Sequence, residues 1–268
     1  MLKLVALDLD GTLIGRDLEV SQRVRDAIAR MQAAGIAGCL VTGRMYRAAV
    51  PFARELGFEA PIICYQGAAI IDPVSDEVLR HAALRNDVVR ELVAVAEGDR
   101  MHLQLYRNDE YYTESRNRFS DMYAALAKMQ PVVVPSLREA FAYSDATKAV
   151  VIADAGPAEA YAQALGKHFD GRAYVTRSLP EFVEVLDPGV DKGDALAFVA
   201  ARLGVKKDEI VAIGDSWNDA PLLQAAGFGI AMGSAPPELR SVANAVVADV
   251  ANDGVAEAID TYVLGSAA

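Results

Sequence analysis

The chain has 268 residues, of which 53% are hydrophobic and 24% are charged, and its formal net charge at pH 7 is -11. This composition is typical of a globular protein of one or two domains, and it excludes the disordered and fibrous classes. The negative charge disfavours nucleic acid and anionic membranes as partners. Because no apolar run approaches the ~20 residues of a membrane span and no signal peptide is visible, we expect a cytoplasmic protein.

The cysteines and histidines show no spacing that would indicate a metal site. Cys39 and Cys64 stand singly in apolar runs, which is typical of buried thiols. The three histidines, His81, His102 and His168, are scattered along the chain. The sequence therefore predicts no zinc site.

The first part of the chain alternates strands with helices. Apolar runs predict strands at 4–9, 36–41 and 61–65, and apolar residues at helical spacing predict helices at 21–34 and 46–56. Strands that are buried on both faces and separated by helices indicate a parallel, doubly wound sheet.

The middle of the chain has a different pattern. Short strands are predicted at 102–106, 111–113, 148–153, 172–176 and 182–186, with helices between them at 87–97, 117–130 and 157–168. The residues Arg-Asn-Asp-Glu at 107–110 form a predicted hairpin loop. This α+β pattern indicates a separate inserted domain.

The alternation of helix and strand returns at Asp191. Helices are predicted at 191–203, 218–226 and 254–262, and strands at 209–213 and 227–231. We therefore predict an α/β fold in which a doubly wound, Rossmann-like parallel sheet is formed by residues 1–83 and 188–268. An α+β domain at 84–187 interrupts it.

Polar residues concentrate at the carboxyl ends of the predicted core strands, which is the edge at which such sheets bind ligands. Asp8 ends the first strand and is followed by Asp10, and Asp215 ends the strand that returns after the inserted domain. Three carboxylates at one edge would repel one another unless a cation lay between them, and Mg²⁺ is a hard cation that prefers oxygen ligands. Alternatively, Asp10 and Gly11 could form a type I′ hairpin turn, but a turn would not explain Asp8 at the end of a buried strand.

Four motifs, in this order, resemble those of the haloacid dehalogenase-like phosphohydrolases. They are DLDGTL at 8–13, VTGR at 41–44, Lys192 in DKGDAL, and GDSWND at 214–219. The long segment between the second and third motifs resembles the subgroup with a large inserted α+β cap, the Cof-type sugar phosphatases. GIAMGSA at 229–235 resembles the closing signature of that subgroup, so the resemblance covers the whole chain.

The resemblance implies a role for each motif residue. Asp8 would be the nucleophile that accepts the phosphoryl group, Asp10 the general acid and base, and Lys192 the group that neutralises the transferring phosphoryl. The remaining roles are phosphate or substrate binding by Thr42, Gly43, Arg44 and Asn218, Mg²⁺ binding by Asp8, Asp215 and the backbone carbonyl of Asp10, and support by Asp219. The implied protein is a Mg²⁺-dependent phosphatase of a small phosphorylated metabolite, with sugar phosphates as the favoured class.

Several of these residues also have a structural alternative. Asp215 could cap a helix, Asp219 could be a favourable acid in a first helical turn, and Arg44 could pair with an acid such as Glu55. Lys192 could be a solvated lysine, although the macrodipole disfavours a cation at a helix start by about 0.3–1 kcal/mol.

Two other functions remain open for the whole protein. Phosphomannomutase-like members of the same group use this chemistry to transfer the phosphoryl group between hydroxyls. A phospho-accepting switch of the receiver type would hold a stable phosphoryl group on Asp8, but such domains are shorter than this chain and have no inserted cap.

The chain departs from the subgroup at one position. After the predicted third strand the subgroup usually has an Asn-Gly pair, where this chain has Gln66 and Gly67. The side chain keeps its amide and is longer by one methylene. We expect this difference to affect substrate contacts rather than the chemistry.

Overall fold

The computed structural model describes residues 1–265, and the chain divides into two compact units. The first, here called the core unit, comprises residues 1–43 and 49–79 and the chain from Asp191 onward. The second, here called the inserted unit, comprises residues 44–48 and 80–190.

The helices and strands follow one another in three groups along the chain. The first group is β1 (Leu4–Asp8), α1 (Gln22–Ala33), β2 (Ala37–Val41), α2 (Tyr46–Glu55), β3 (Ile62–Cys64), β4 (Ala69–Ile71) and β5 (Val78–His81). The second group is α3 (Asn86–Gly98), β6 (His102–Arg107), β7 (Glu110–Thr113), α4 (Arg118–Ala127), β8 (Val132–Val133), α5 (Leu137–Ala140), β9 (Lys148–Ile152), α6 (Ala155–His168), β10 (Tyr174–Leu179) and β11 (Phe182–Leu186). The third group is α7 (Lys192–Leu203), β12 (Ile210–Gly214), α8 (Ala220–Ala225), β13 (Phe228–Ala231), α9 (Pro237–Val242), β14 (Ala245–Val246) and α10 (Gly254–Ala258), which continues into a π-helical turn at Ile259–Leu264.

The core unit is built on a sheet whose strand order is β14-β13-β12-β1-β2-β3-β4-β5. The strands from β14 to β3 pair in parallel, and β4 pairs with β3 in the antiparallel direction. Every residue of β1 and β12 is buried, as expected for central strands of a parallel sheet covered on both faces. The structure confirms the predicted α/β fold, and it brings the carboxyl ends of β1, β2 and β12 to one edge.

The first helix shows how the sequence pattern determines packing. The side chain of Ser21 caps α1 by accepting a hydrogen bond from the backbone N–H of Val24. The apolar residues at helical spacing, Val24, Ala27, Ile28 and Met31, are the buried ones. A fully buried side chain as large as Ile28 contributes about 1.5–3 kcal/mol to stability, so this face fixes α1 in the core unit.

The inserted unit contains a second sheet, with strand order β10-β11-β9-β6-β7-β8. Its neighbouring strands pair in the antiparallel direction except β7 and β8, which pair in parallel. The predicted hairpin loop at 107–110 is confirmed: Arg107 pairs with Glu110, and Asn108 and Asp109 have φ of 54° and 56°. Two central residues with positive φ are typical of a type I′ turn, whose twist matches that of the strands.

The two faces of this second sheet differ in character. On one face, residues of β6 and β9 such as Leu105 and Val151 pack with α3 and α6 in a purely apolar cluster. The opposite face carries aromatic contacts between Tyr106 and Tyr123 of α4 and a fully buried ion pair, in which Lys148 Nζ lies 2.6 Å from an oxygen of Glu184. The inserted unit therefore has an apolar cluster on one side of its sheet, and a mixture of aromatic, aliphatic and charged side chains is buried on the other.

Some predicted elements differ from the observed ones. The strand predicted at 172–176 lies at Tyr174–Leu179, and the last α-helix ends at Ala258 rather than at 262. The sequence did not indicate the strands β4, β5, β8 and β14 or the helices α5 and α9, all of which span six residues or fewer. Such short segments do not show a period. Within residues 1–265, no helix combines the length and apolar character needed to cross a membrane.

Candidate active site

A buried lysine joins two carboxylates at the carboxyl end of β1. Nζ of Lys192, the first residue of α7, donates to Oδ1 of Asp8 and to Oδ1 of Asp219, in each case over 2.6 Å. The relative exposures are 1% for Lys192, 5% for Asp8 and 0% for Asp219. Lys192 is therefore not the solvated lysine that the sequence left as an alternative.

Burial and the ion pairs have opposite effects on the pKa values of Lys192 and Asp8. Burial alone would lower the pKa of Lys192, but the carboxylates of Asp219 and Asp8 outweigh it and hold that pKa above its ordinary value. Burial raises the pKa of Asp8 to about 7, with Lys192 opposing this rise and Asp219 adding to it. The two ion pairs thus keep an ammonium group charged at a helix start, where the macrodipole disfavours it.

Asp215 is held by the loop that follows β1. Oγ1 of Thr12 donates to Oδ1 of Asp215 over 3.0 Å. Gly11 has a φ of +88°, and a Cβ at this position would lie 2.2 Å from Oδ2 of Asp215. The loop therefore requires glycine for its backbone conformation and for the close approach of the carboxylate.

The turn at Asp10 and Gly11 is not the two-residue hairpin that the dipeptide could have formed. The backbone N–H of Gly11 donates to the carbonyl of Ile14, and the N–H of Ile14 donates to the carbonyl of Leu9, so the chain curls back on itself. Asp10 is half-buried in this turn, and its charge contributes to the raised pKa of Asp8. The turn thus keeps both aspartates at the same strand end.

Asp219 uses both of its carboxylate oxygens within the protein. Oδ1 accepts from Lys192, and Oδ2 accepts from the backbone N–H groups of Asp215 and Ser216, each over 2.9 Å. Gly214 makes room for this carboxylate, since a Cβ there would lie 2.6 Å from Cβ of Asp219. Asp219 therefore orders the loop after β12 and holds Lys192, which fits the supporting role implied by the motif.

The donor set at this edge fits a hard divalent cation. Carboxylate oxygens of Asp8, Asp215 and Asp219 lie within 4.8 Å of one another. Burial, followed by the charges of Asp8 and Asp219, raises the pKa of Asp215 well above its usual value, and the charge of Lys192 opposes this rise only in part. Since Asp219 is committed to Lys192 and the backbone, Asp8 and Asp215 are the carboxylates best suited to hold an ion such as Mg²⁺.

Thr42 and Gly43 lie at the same edge, after the neighbouring strand β2. Asp8 pairs in register with Val41, the residue before Thr42. The backbone N–H of Thr42 donates to the carbonyl of Ile63 over 2.8 Å, and the carbonyl of Thr42 accepts from the backbone N–H of Gln66 over 3.1 Å. These two backbone hydrogen bonds hold the buried Thr42 against β3 and the turn that follows it.

Arg44 differs from its two neighbours in the motif. It is buried, and residues 44–48 group with the inserted unit rather than with the core unit. Glu55, which the sequence offered as its alternative partner, forms an ion pair with Arg25.

A contact that the sequence did not predict joins Gln66 to Asn218. Nδ2 of Asn218 donates to Oε1 of Gln66 over 2.8 Å, and both side chains are buried. Oδ1 of Asn218 is buried and has no hydrogen-bond partner among residues 1–265. The position at which this chain departs from its subgroup is thus in contact with a motif residue, and no local pattern could have shown it.

The two cysteines are buried free thiols, as predicted. Cys39 lies in β2, and burial raises the pKa of its thiol to about 12. A thiol with so high a pKa is a poor nucleophile at neutral pH, so Cys39 belongs to the packing of the core unit.

The chain is similar to known phosphatases over almost its whole length. A profile of the family described as haloacid dehalogenase-like hydrolase matches residues 5–259. The chain is 30% identical over 264 residues to the 5-amino-6-(5-phospho-D-ribitylamino)uracil phosphatase of Bacillus subtilis, with 97% of each protein covered. It is 32% identical over 265 residues to the phosphoglycolate phosphatase of Methanopyrus kandleri, with 96% of this chain and 95% of that protein covered.

A solved structure shows the same fold. The crystal structure of a haloacid dehalogenase-like hydrolase from Bacteroides thetaiotaomicron matches with a TM-score of 0.85 and 33% sequence identity. The match covers 97% of this chain and 99% of that one. Together these similarities confirm the resemblance that the four motifs carry.

Proposed function

Because this chain belongs to the haloacid dehalogenase-like hydrolase family and is a phosphatase of small phosphorylated substrates, we propose that it is Mg²⁺-dependent and acts on a sugar phosphate. The reaction proceeds through an aspartyl phosphate on Asp8. The observation that carries this proposal is the bridge from Lys192 to Asp8 and Asp219, since it places a charged ammonium beside a carboxylate at the end of β1.

The first step forms the bond between a carboxylate oxygen of Asp8 and phosphorus and breaks the bond between phosphorus and the leaving oxygen. Lys192 fixes Oδ1 of Asp8 and supplies positive charge where phosphoryl oxygens gather negative charge. Asp10, in the turn directly after β1, donates a proton to the leaving alkoxide. The products of this step are the alcohol and the phosphorylated Asp8.

The second step returns Asp8 to its starting state. Asp10 takes a proton from a water molecule, and the water oxygen attacks phosphorus as the bond to the Asp8 oxygen breaks. Inorganic phosphate leaves, and Asp8 is again a carboxylate. Thr42, Gly43 and Asn218 hold the phosphoryl oxygens by hydrogen bonds during both steps.

The metal role rests on the donor set at the edge of the sheet. Asp8 and Asp215 would hold Mg²⁺ with their side chains and Asp10 with its backbone carbonyl. The ion would offset the repulsion between the Asp8 carboxylate and an anionic phosphate ester. Thr12 keeps Asp215 in position for this purpose through the hydrogen bond to Oδ1.

The substrate class is supported by the relatives. The Bacillus subtilis protein is named for a compound with a phospho-D-ribitylamino group, and the Methanopyrus kandleri protein is named for phosphoglycolate. Both names describe small phosphorylated compounds, and the first contains a sugar-derived chain. We infer that the substrate of this chain is a phosphate monoester of similar size.

The proposal is tested with Asp8→Asn, which keeps the shape of the side chain and removes the nucleophilic carboxylate. We expect this variant to lose hydrolysis of p-nitrophenyl phosphate, and we expect removal of Mg²⁺ with a chelator to abolish hydrolysis by the unaltered protein. Asp208→Asn is a matched control, because Asp208 is exposed in a turn of the core unit. A wild-type rate for Asp8→Asn would show that the mechanism is wrong.

A second measurement separates hydrolysis from phosphoryl transfer. Free phosphate and isomerised product are quantified with a panel of sugar phosphates. A phosphatase releases one phosphate for each ester consumed, whereas a mutase converts one ester into another without releasing phosphate. Isomerisation without release would replace the proposed hydrolysis.

A further inference from the structure

We propose that Gln66 is a positioning residue that determines which end of the Asn218 carboxamide faces the phosphoryl group. This inference rests on the proposed function, because it assigns Asn218 to a phosphoryl oxygen. It concerns the one position at which the chain departs from the usual Asn-Gly pair of its subgroup.

The backbone around Gln66 is held in an unusual conformation. Tyr65, Gln66 and Gly67 have φ of 52°, 60° and 105°, so three successive residues lie in the left-handed region and two of them are not glycine. This region is unfavourable for residues with a Cβ, and it persists only where the surroundings enforce it. Here the turn places the Gln66 side chain towards the motif residues.

Two contacts fix this turn on opposite sides. The backbone N–H of Gln66 donates to the carbonyl of Thr42 over 3.1 Å, which ties the turn to the motif after β2. A Cβ at Gly67 would lie 2.4 Å from the carbonyl oxygen of Asp191, so the turn is also pressed against the residue that precedes Lys192. Gln66 is therefore anchored to the segments that carry two of the four motifs.

The side chain of Gln66 reaches a third motif. Its Oε1 accepts from Nδ2 of Asn218, and its carboxamide packs closely against Gly43, where a Cβ would lie 2.3 Å from Nε2. Gln66 is 1% exposed and Asn218 is 5% exposed. Water cannot easily replace this contact, and the two carboxamides must be oriented as a pair.

The orientation of the pair determines what Asn218 offers to a ligand. With one N–H of Nδ2 engaged by Gln66, Asn218 has its second N–H and Oδ1 left for a ligand, and Oδ1 is buried and lacks a partner among residues 1–265. A phosphoryl oxygen accepts hydrogen bonds, so Oδ1 cannot bind it. Rotation of both carboxamides by half a turn would let Nε2 of Gln66 donate to Oδ1 and would present Nδ2 to the phosphoryl oxygen.

Glutamine can serve both orientations because its carboxamide has one donor end and one acceptor end. A phosphate ligand favours the orientation in which Asn218 donates to it, and Gln66 must then donate to Asn218. The donor capacity of Gln66 is thus the property that the proposal requires, and it can be removed without changing the size of the side chain.

The first test uses Gln66→Glu and Gln66→Met. A glutamate carboxylate only accepts hydrogen bonds, so it keeps Nδ2 of Asn218 turned towards position 66, and methionine provides neither a donor nor a strong acceptor. For Gln66→Glu we expect KM for p-nitrophenyl phosphate and the inhibition constant of inorganic phosphate to rise roughly tenfold, as for the loss of one hydrogen bond to a charged group. We expect kcat to change less than KM.

Because the new charge of Gln66→Glu would itself repel phosphate, the decisive experiment repeats both substitutions in Asn218→Ala. If Gln66 acts through Asn218, Gln66→Met changes phosphate affinity by less than about twofold in that background, and Gln66→Glu keeps there only the effect of its added charge. Gln224→Glu, at an exposed position of α8, controls for the added charge. Thermal melting of every variant shows whether the fold is intact.

The proposal would be overturned if Gln66→Met lowered phosphate affinity as much in the Asn218→Ala background as in the unaltered protein, since Gln66 would then act on the ligand without Asn218. Unchanged phosphate affinity in both single variants would also overturn it. Calorimetric titration with inorganic phosphate and Mg²⁺ gives the same comparison without turnover. A wild-type rate for Asp8→Asn would contradict the proposed mechanism, whereas these affinity measurements test only the role of Gln66. The two failures are therefore distinguishable.

Discussion

Thr12 and Asp215 are 203 positions apart in the chain, and one hydrogen bond between them fixes an oxygen of the carboxylate. Thr12 is 1% exposed, so its hydroxyl has no access to bulk water as an alternative partner. In metal sites, groups that orient a ligand in this way have large effects on affinity although they do not touch the ion. Thr12 is thus part of the site through Asp215.

Replacement of Thr12 by valine removes this donor and keeps the shape of the side chain. We expect Thr12→Val to weaken Mg²⁺ binding by about 10-fold or more, because Asp215 is no longer oriented and its Oδ1 faces a methyl group. Thr12→Ser keeps the hydroxyl and should bind Mg²⁺ nearly as the unaltered protein does. Calorimetric titration with Mg²⁺ measures the effect, and equal affinities for the valine and serine variants would contradict it.

For single residues, the sequence indicates which side chains belong to the site more readily than it indicates their hydrogen-bond partners. Asp8, Asp10, Lys192 and Asp215 are recognisable because each stands in a motif at a strand end or helix start. The hydroxyl of Thr12 binds Asp215, and nothing in the sequence around Thr12 indicates this partner. The partner depends on the pairing of β1 with β12, which no local pattern contains.

Among the secondary-structure elements, α4 of the inserted unit is linked to β6 through one histidine. Asn117 caps α4, and its Oδ1 accepts from the backbone N–H groups of Phe119 and Ser120. Its Nδ2 must therefore face Nδ1 of His102 on β6, at 3.1 Å. A ring nitrogen that accepts from an amide carries no proton, so this cap favours neutral His102.

The same arrangement predicts a pH dependence of stability. Burial lowers the pKa of His102 to about 4, whereas an unfolded histidine titrates near 6.5. As the pH falls from about 6.5 towards 4, the unfolded state binds a proton that the folded state does not, so the stability that neutral His102 contributes above this window is lost within it. We expect His102→Gln to show a smaller fall in the free energy of unfolding between pH 7.5 and 5 than the unaltered protein.

Urea unfolding followed by far-UV circular dichroism at both pH values measures this difference. His168→Gln is the comparison for the loss of a histidine, because His168 lies at the exposed end of α6, where its ring pairs with Glu91. An NMR titration of the imidazole resonances tests the cause directly, since His102 should remain neutral at pH 5. Equal falls for His102→Gln and the unaltered protein would show that this side chain does not control the transition.

Secondary-structure elements are predictable from the sequence where the pattern of apolar residues extends over several repeats. The helices α1 and α7 and the strands β1, β2 and β12 were placed to within a residue or two of their observed bounds. The two-residue strands β8 and β14 have no period, and their pairing with β7 and β13 comes from tertiary contacts. Asn117, which caps α4, likewise contacts a histidine of β6 that the local sequence does not indicate.

For the whole molecule, the net charge of -11 is unfavourable for binding an anionic phosphate ester. An acidic protein attracts an anionic substrate only if positive charge is supplied locally. Lys192 supplies part of it, but Asp8, Asp215 and Asp219 together exceed it. We expect a bound cation to be needed for stability of this edge as well as for turnover.

This requirement can be measured as a stability effect. A ligand that binds only the folded protein stabilises it by about 2.7 kcal/mol at a concentration 100 times its Kd, so Mg²⁺ should raise the melting temperature by several degrees. Asp215→Asn should abolish this response. Without Mg²⁺ it should melt higher than the unaltered protein, because it removes a half-buried carboxylate beside two other acids while Thr12 can still donate to the remaining carbonyl oxygen. Differential scanning calorimetry with and without Mg²⁺ tests both expectations, with the exposed Asp208→Asn as control. If Mg²⁺ stabilised Asp215→Asn as much as the unaltered protein, Asp215 would not be a ligand, and the site would have to bind the ion through other oxygens.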